Sequence, residues 1–307
     1  MTHLDYLNTN YPIRRTSKEK KAFREYILEN FSGAKVEKTN DGKNENVIIG
    51  DPLKAKVVCT AHYDTPARAL FPNIMIPRNL FLFWLYQISM VLVLLVVGIA
   101  AMIICKVAFD LEKQELFFVF LIAYYIMFFL MFFGAKNKTN FNDNTSGVAT
   151  VLSVLDTLTP EQKSDYAFIL FDNEEWGKKG SKAYFKDHKE DMEEKLLINF
   201  DCVGNGENIV FVVMKGAEEK EAYAILRESF VPGSGFDVSF FPKKGSESNS
   251  DYKSFPCGIG CMACKKAKSG LLYTPYIHTP RDTVASNANI DYITEGMSRF
   301  VNALSKE

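Results

Sequence analysis

Three short apolar runs punctuate the chain, and each ends at an acidic residue or a histidine. They are Lys56 to His62, Tyr166 to Asp172, and Leu196 to Asp201. Continuous apolar runs of this length are typical of strands that are covered on both faces of a sheet. Helical periodicity is found elsewhere, over residues 17–31 (with Phe23, Tyr26, Ile27 and Phe31 facing inward), 147–158, 180–187, 217–229 and 290–304.

Strands that alternate with helices predict an α/β fold with a mainly parallel mixed sheet and helices on both faces. In such sheets, ligands gather beyond the carboxyl ends of the strands. The acidic and histidine residues that end the apolar runs are therefore expected at one edge of the sheet.

Two stretches without a charged residue have a different pattern. Residues 79–105 include 16 Leu, Ile, Val or Phe, and residues 116–135 include seven phenylalanines. A helix of 27 residues rises about 40 Å, more than the roughly 30 Å hydrocarbon core of a bilayer. Neither stretch has the polar face of a surface helix. We predict two transmembrane helices; the alternative is a helical hairpin buried in a soluble core.

The predicted connection between the two spans, residues 106–115, is short, so the chain returns to the side of the bilayer that it left. The outer flanks carry Arg68, Arg78, Lys136 and Lys138, and basic flanks favour the cytoplasmic side. We predict an integral membrane protein of three parts: residues 1–78 and 136–307 form one cytoplasmic domain, and residues 79–135 insert in the lipid bilayer.

The overall charge and the cysteines limit the function further. The chain has 36 Lys and Arg against 37 Asp and Glu, so no basic field exists for nucleic acid. Six cysteines in 307 residues do not form a disulfide pattern and favour a reducing compartment. Cys257, Cys261 and Cys264 have the spacing of an iron–sulfur ligand set, but buried thiols on a strand are favoured.

Five polar segments together offer two imidazoles and three or more carboxylates, a ligand set that suits zinc. Two ions about 3.5–4 Å apart need a shared ligand, and a carboxylate can bridge them. Asp64 can hold the second ring nitrogen of His62. Of the adjacent Glu174 and Glu175, one is expected as a ligand and the other as a base. The segments are 61–65, 142–147, 173–177, 199–201 and 277–283.

Each segment alone has a structural interpretation. A His-x-Asp sequence is often structural, paired glutamates are usually solvated, and Asn142 to Gly147 resembles a turn followed by a helix cap. Their joint presence, in this order and just past apolar runs, predicts a metal site.

These segments resemble zinc metallopeptidase family 28, which includes aminopeptidases and glutamate carboxypeptidase. The resemblance extends from about residue 44 to the C-terminus and is broken by the hairpin. The motifs that carry it are His62-x-Asp64, Asn142-Asp143-Asn144-x-Ser146-Gly147, Glu174-Glu175-x-Gly177, Asp201, Ser250-Asp251 with Phe255 and Gly258, and His278-Thr279-Pro280-x-Asp282-Thr283.

The resemblance implies two zinc ions, with cobalt or manganese as substitutes. The first zinc would bind His62, Asp143 and Asp201, and the second would bind Asp143, Glu175 and His278. Glu174 would be the general base and Asp64 would orient His62. A cis peptide is implied between Asp143 and Asn144.

Two departures from the family pattern concern the hairpin and the oxyanion. Asp64 and Asp143 are 79 positions apart, and the hairpin fills a gap that is a short loop in family members. Ile277 stands where some members have a tyrosine that stabilises the oxyanion. Tyr273 or Tyr276 would replace it, or the zinc ions would act alone.

The expected function is a membrane-anchored di-zinc exopeptidase, an aminopeptidase that removes N-terminal residues from short peptides. One alternative is a catalytically silent membrane receptor or scaffold on the same fold. Another is a carboxypeptidase or glutaminyl cyclase on the same site, for which Arg281 and Lys244 are candidate carboxylate-binding residues. No oligomeric state follows from the sequence.

Overall fold

The computed structural model of the protein describes residues 1–69 and 73–306. Residues 70–72 and 307, which belong to the predicted segments 1–78 and 136–307, lie outside the described residues. Ten strands form the sheet of the described chain. They are β1 (Ala34–Lys38), β2 (Glu45–Ile49), β3 (Val57–His62), β4 (Asn73–Met75), β5 (Tyr166–Phe171), β6 (Leu196–Phe200), β7 (Asn208–Val213), β8 (Asp237–Pro242), β9 (Gly258–Lys266) and β10 (Leu272–Ile277).

The helices follow the predicted periodicity closely. The segment predicted over 217–229 is divided into two helices, because the backbone at Lys220 is extended. The helices are α1 (His3–Asn10), α2 (Ser17–Asn30), α3 (Leu80–Phe109), α4 (Lys113–Phe133), α5 (Gly147–Thr157), α6 (Lys179–Asp187), α7 (Lys189–Met192), α8 (Lys215–Glu218), α9 (Glu221–Ser229) and α10 (Asn287–Leu304).

The centre of the sheet is parallel, and its β1–β2 and β10–β4 edges are antiparallel, whereas β7 pairs antiparallel with β9 and parallel with β8. Strands β5, β3, β6 and β9 are neighbours in that order, and each pairs in parallel with the next. Strands β1 and β2 add antiparallel pairs at one edge, and β10 and β4 add them at the other. The predicted α/β fold with a mixed sheet is confirmed, with a larger antiparallel share at the edges than the apolar runs indicated.

Helices cover both faces of the sheet, as predicted. On β3, Val57 and Cys59 belong to a hydrophobic cluster with residues of α1, α2, α5 and α10. Val58, which points to the opposite face, belongs to a second cluster with Tyr184 of α6 and Met192 of α7. Burial on both faces explains why the β3 sequence is a continuous apolar run.

Helices α3 and α4 form a hairpin that projects from this domain. Both are long and apolar enough to span a membrane, and most of their large side chains are exposed, such as Phe81 at 75%. The two helices approach closely where a Cβ on Gly98 would lie 2.7 Å from the Phe120 ring. The alternative of a hairpin buried in a soluble core is therefore wrong.

The connection between α3 and α4 is shorter than predicted. Helix α3 continues through Lys106 to Phe109, and α4 begins at Lys113, so residues 110–112 alone link them. Charged residues such as lysine and glutamate are compatible with a helix, so a helix can continue beyond an uncharged stretch. The ends of the two uncharged stretches therefore do not mark the ends of α3 and α4.

Both ends of the hairpin join the domain at one place. Ala67 and Lys136 form an antiparallel bridge, and the Arg68 backbone N–H donates to the Ala135 carbonyl at 2.7 Å. Residues from both sides of the hairpin contribute strands to the same sheet. The insertion therefore leaves and re-enters the domain without dividing its core.

Candidate metal centre and active site

Three of the five candidate ligands lie at the carboxyl ends of sheet strands. His62 is the last residue of β3, Asp201 directly follows β6, and His278 directly follows β10. Strands β3 and β6 are parallel neighbours, so their ends meet at the same edge. The edge predicted from the apolar runs is where these side chains converge.

The two histidines contact opposite oxygens of one carboxylate. His62 Nε2 lies 3.4 Å from Asp143 Oδ1 and 3.7 Å from Asp201 Oδ1. His278 Nε2 lies 3.0 Å from Asp143 Oδ2 and 3.3 Å from Glu175 Oε2. The five predicted ligands therefore form two groups of three that share Asp143, and the ligand atoms of each group lie within 4.8 Å of one another.

The chemistry of these side chains fits divalent metal ions. Glu175 Oε1 and Asp201 Oδ1 are buried and have no hydrogen-bond partner among the described residues. A buried carboxylate oxygen without a partner is costly. A bound cation would satisfy both, and a set of imidazole and carboxylate ligands suits zinc.

The backbone around Asp143 is held by Asp282. The two oxygens of Asp282 accept hydrogen bonds from the backbone N–H groups of Asn142 and Asp143, each at 3.0 Å. The peptide between Asp143 and Asn144 is cis, as the resemblance implied. A Cβ on Gly147 would lie 2.2 Å from the Phe200 carbonyl oxygen, so this position requires glycine.

Asp64 holds the backbone of the paired glutamates, as Asp282 holds the backbone of Asp143. Its carboxylate accepts hydrogen bonds from the backbone N–H groups of Glu174, at 2.9 Å, and Glu175, at 3.2 Å. His62 Nδ1 lies 3.1 Å from the Asp64 carbonyl oxygen and 3.5 Å from its carboxylate. Asp64 therefore lies against both His62 and the glutamate turn, of which only the first contact was predicted.

Glu174–Trp176 form a short 3₁₀ turn, so the side chains of Glu174 and Glu175 point in different directions. Glu175 groups with Asp143 and His278, whereas an oxygen of Glu174 lies within reach of His62 and Glu175. The preceding Asn173 has a positive φ of 55°, which starts this turn at the end of β5. Glu174 is thus beside the metal groups without belonging to either predicted triad.

Burial and charge shift the acid–base behaviour of these groups. Burial raises the pKa of Glu174 well above its ordinary value, and it raises the pKa of Glu175 to about 8. Burial alone would lower the pKa of His278, but Glu175 and Asp143 raise it to about 9. Burial opposes ionisation of Asp143, yet hydrogen bonds from His278 and His62 hold its pKa below the usual value. The two imidazoles therefore favour the ionised form of the Asp143 carboxyl.

Arg14 helps to hold two segments of the metal centre together, a role that was not predicted from the sequence. Its guanidinium is fully buried and donates to the Tyr63 carbonyl at 2.5 Å and to Thr145 Oγ1 at 3.2 Å. It thereby joins the segment of His62 to the segment of Asp143. One arginine of the Arg14-Arg15 pair in a charged N-terminal stretch gives no periodic signal that would identify this role.

A cavity of about 250 Å³ opens on these side chains. Met75, Met262 and Ile277 supply apolar lining, and Lys178 is the single lysine or arginine among the described lining residues. The described lining contains neither Tyr273 nor Tyr276, the predicted oxyanion partners. It also lacks Arg281 and Lys244, the predicted carboxylate-binding residues.

Comparison with known families agrees with this site. The sequence profile described as peptidase family M28 matches residues 134–301, more than half of the chain. The chain belongs to peptidase family M28. The matched M28 range contains four of the predicted ligands and Glu174, whereas His62 and Asp64 come from the part of the chain before it. The prediction of a zinc metallopeptidase is confirmed.

Solved structures of low identity share the M28 fold. The LapA aminopeptidase of Legionella pneumophila is 15% identical, with a TM-score of 0.51 over 99% of this chain and 68% of that chain. LapB from Legionella pneumophila is 12% identical, with a TM-score of 0.50 over 98% of this chain and 70% of that chain. A comparison with curated protein sequences finds no match. At these identities the structural similarity concerns the fold.

Proposed function

We propose that this M28 peptidase is a membrane-anchored di-zinc aminopeptidase that acts on short peptides. The observation that carries the proposal is the position of Asp143 between two histidines. Its Oδ1 faces His62 and its Oδ2 faces His278, which is the arrangement that a carboxylate bridging two cations requires.

The ligands divide into two sets of three around that carboxylate. One zinc would be held by His62, Asp143 and Asp201, and the other by Asp143, Glu175 and His278. When bound, the zinc ions polarise the scissile carbonyl and lower the pKa of a water from 15.7 toward about 7. Cobalt and manganese accept the same ligand types and are further candidates.

We assign the proton transfer to Glu174. It lies beside both metal groups, and burial raises its pKa, so it can hold a proton taken from the attacking water. Glu174 would then return this proton to the leaving amine, which completes general acid–base catalysis. Asp64 and Asp282 are positioning residues, because they hold the backbone of Glu174, Glu175 and Asp143 through hydrogen bonds.

An aminopeptidase is favoured over the other chemistries of this site. The LapA structure with the same fold is an aminopeptidase by name. The free amine of a peptide would be bound by the acids beside the metals. Arg281 and Lys244, which a carboxypeptidase would have used, do not belong to the described lining of the cavity.

Membrane anchoring is proposed from the hairpin and its connection to the site. The side chains of α3 and α4 are largely exposed and apolar, a surface that a bilayer would cover. Basic flanking residues favour a cytoplasmic domain. Met75, which lies a few residues before α3, lines the cavity, so the substrates we propose are short peptides at the cytoplasmic face of the bilayer.

The experiment that tests the activity uses the full chain, purified in detergent and returned to liposomes. Peptides with free or acetylated N-termini and free or amidated C-termini are compared, with and without a chelator. We expect hydrolysis that needs a free N-terminus, stops on chelation and returns with zinc. Cleavage confined to peptides with a free C-terminus would instead establish a carboxypeptidase. Zinc binding without hydrolysis of any peptide would favour a silent receptor or scaffold.

Anchoring is tested separately by washing native membranes with alkaline carbonate. A protein with two spans is expected to stay in the membrane pellet, and protease added to the cytoplasmic side should digest the domain. Release of the intact chain by carbonate would contradict the anchor. Protection of the domain from that protease would reverse the proposed orientation.

A further inference from the structure

Lys178 differs from the lysines near it in the chain. It immediately precedes α6 with a positive φ of 61°, it is only 9% exposed, and it lines the active-site cavity. Its neighbours Lys179 and Lys182 are exposed. The side chain of Lys178 is therefore directed into the protein at the cavity wall.

The ammonium of Lys178 has a neutral partner. Its Nζ donates to Asn249 Oδ1 at 2.7 Å, and Asn249 also lines the cavity. Within residues 1–69 and 73–306, no carboxylate lies within ion-pair distance of Lys178. Lys20, which is equally buried, has its counter-ion Asp172 at 2.7 Å, so the missing counter-ion distinguishes Lys178.

The Lys178 ammonium has more hydrogen-bond donors than acceptors around it. It has three N–H donors, of which Asn249 accepts one, and a buried charge without a counter-ion is costly. Burial lowers the pKa of Lys178, while Glu174 and Asp251 act against this from beyond contact distance. An anion that enters the cavity would supply the missing counter-ion and accept the remaining hydrogen bonds.

We propose that Lys178, held by Asn249, is a specificity-determining residue that binds a carboxylate of the peptide substrate. The inference rests on the proposed peptidase function and names its preferred substrates, which carry a carboxylate close to the scissile bond. Lys178 is the single lysine or arginine of the described cavity lining, so it is the side chain that can distinguish such peptides from neutral ones.

Two kinds of peptide present this carboxylate. One has glutamate or aspartate as its N-terminal residue, and the other is a dipeptide or tripeptide whose free C-terminus lies near the scissile bond. The same charge-assisted hydrogen bond would recognise either source. Paired substrates separate them: Glu-Ala-amide against Gln-Ala-amide, and Leu-Ala against Leu-Ala-amide.

The test measures kcat/KM of the zinc-loaded full-length protein for these four peptides. We expect the carboxylate-bearing member of at least one pair to be preferred by about tenfold or more, since a hydrogen bond to a charged group discriminates on this scale. Lys178→Met should lower kcat/KM more for the carboxylate-bearing member of the pair than for its neutral partner and so abolish the preference, and Lys178→Arg should retain part of it. Lys182→Met removes an exposed charge from the same region and should leave the preference unchanged.

The variants also need a measure that does not depend on turnover. Zinc content and thermal unfolding should be unchanged in Lys178→Met, and Lys178→Gln repeats the test with a side chain that keeps a donor for Asn249. Equal kcat/KM within both pairs for the native protein would overturn the inference. An equal loss of kcat/KM on all four peptides in Lys178→Met would also overturn it, because Lys178 would then act on Glu174 and would not bind the substrate. If the zinc-loaded native protein cleaves none of the peptides, the proposed function itself fails.

Discussion

The ring of Phe133 packs edge-on against the ring of Trp176, with 5.0 Å between the ring centroids. Phe133 is the last residue of α4, and Trp176 directly follows the proposed ligand Glu175. The end of the hairpin and the glutamate turn of the metal centre are therefore in direct contact. This contact links the position of the proposed membrane anchor to the geometry of the site.

The first prediction concerns this aromatic pair. Phe133→Ala and Trp176→Ala should be non-additive in the free energy of unfolding, with a coupling of about 0.5–1.5 kcal/mol, as measured for other aromatic pairs. The four proteins of the cycle are compared by calorimetry in the same detergent. Phe117→Ala, near the opposite end of α4, in place of Phe133→Ala is the control. Strict additivity for Phe133 and Trp176 would show that the two rings meet without stabilising the junction.

The second prediction separates the base from the ligands. Glu174→Gln should keep its zinc but lose activity by about 10²–10⁴-fold, because the amide cannot accept the proton of the attacking water. Glu175→Gln should lose metal as well as activity. Zinc content and peptide turnover are measured on the same preparations. If Glu174→Gln loses zinc, Glu174 is a ligand in the group that it forms with His62 and Glu175.

The third prediction concerns Asp282, which holds the backbone of Asn142 and Asp143. In Asp282→Asn, one carboxylate oxygen becomes an NH₂ group that cannot accept a backbone N–H. Zinc affinity should fall by about 10–100-fold, as for other residues that orient metal ligands. Competition with a chromophoric chelator measures it. The exposed Asp291→Asn is the control, and an affinity within twofold of the native value would refute the role of Asp282.

The fourth prediction is a pH dependence at the junction of the hairpin and α2. Burial opposes the ionisation of Glu19, but hydrogen bonds from Lys136 and Thr16 outweigh it and lower the pKa of Glu19 to about 2. Since this pKa lies below the ordinary value of 4.5, the contribution of Glu19 is complete above pH 4.5 and disappears as the pH falls toward 2.

Glu19→Gln should therefore destabilise the protein by about 1 kcal/mol or less at pH 7, because the pair is partly exposed and screened. The difference from the native protein should shrink when unfolding is measured at pH 3. The exposed Glu29→Gln on the same helix serves as the control. A difference that is equal at pH 7 and pH 3 would contradict the proposed ionic contact.

The parts of the fold that the sequence predicted are those that leave a local pattern. Strand β3 begins with an apolar run because both of its faces are buried, and the ligands His62 and Asp201 lie together because they end neighbouring parallel strands. The antiparallel edges leave no such pattern, since the pairing of β10 with β4 joins segments about 200 residues apart.

The parts of the site that the sequence missed depend on contacts between distant segments. Arg14 is placed by Tyr63 and Thr145, and Lys178 is placed by Asn249. Arg281 and Lys244 had the right charge for a substrate carboxylate, but the chain does not bring them to the cavity wall. Residue type alone cannot distinguish these cases, because burial and direction are decided by the tertiary structure.

The pairing of His62 and His278 across Asp143 is tested most directly by the metal content of the purified protein, measured by inductively coupled plasma mass spectrometry. The native protein should hold two zinc ions per chain. Asp201→Ala and His278→Ala should each retain about one, and Asp143→Ala should lose both, because its carboxylate is shared. Native protein without stoichiometric metal, or an Asp143→Ala variant that keeps two ions, would contradict the proposed bridged pair.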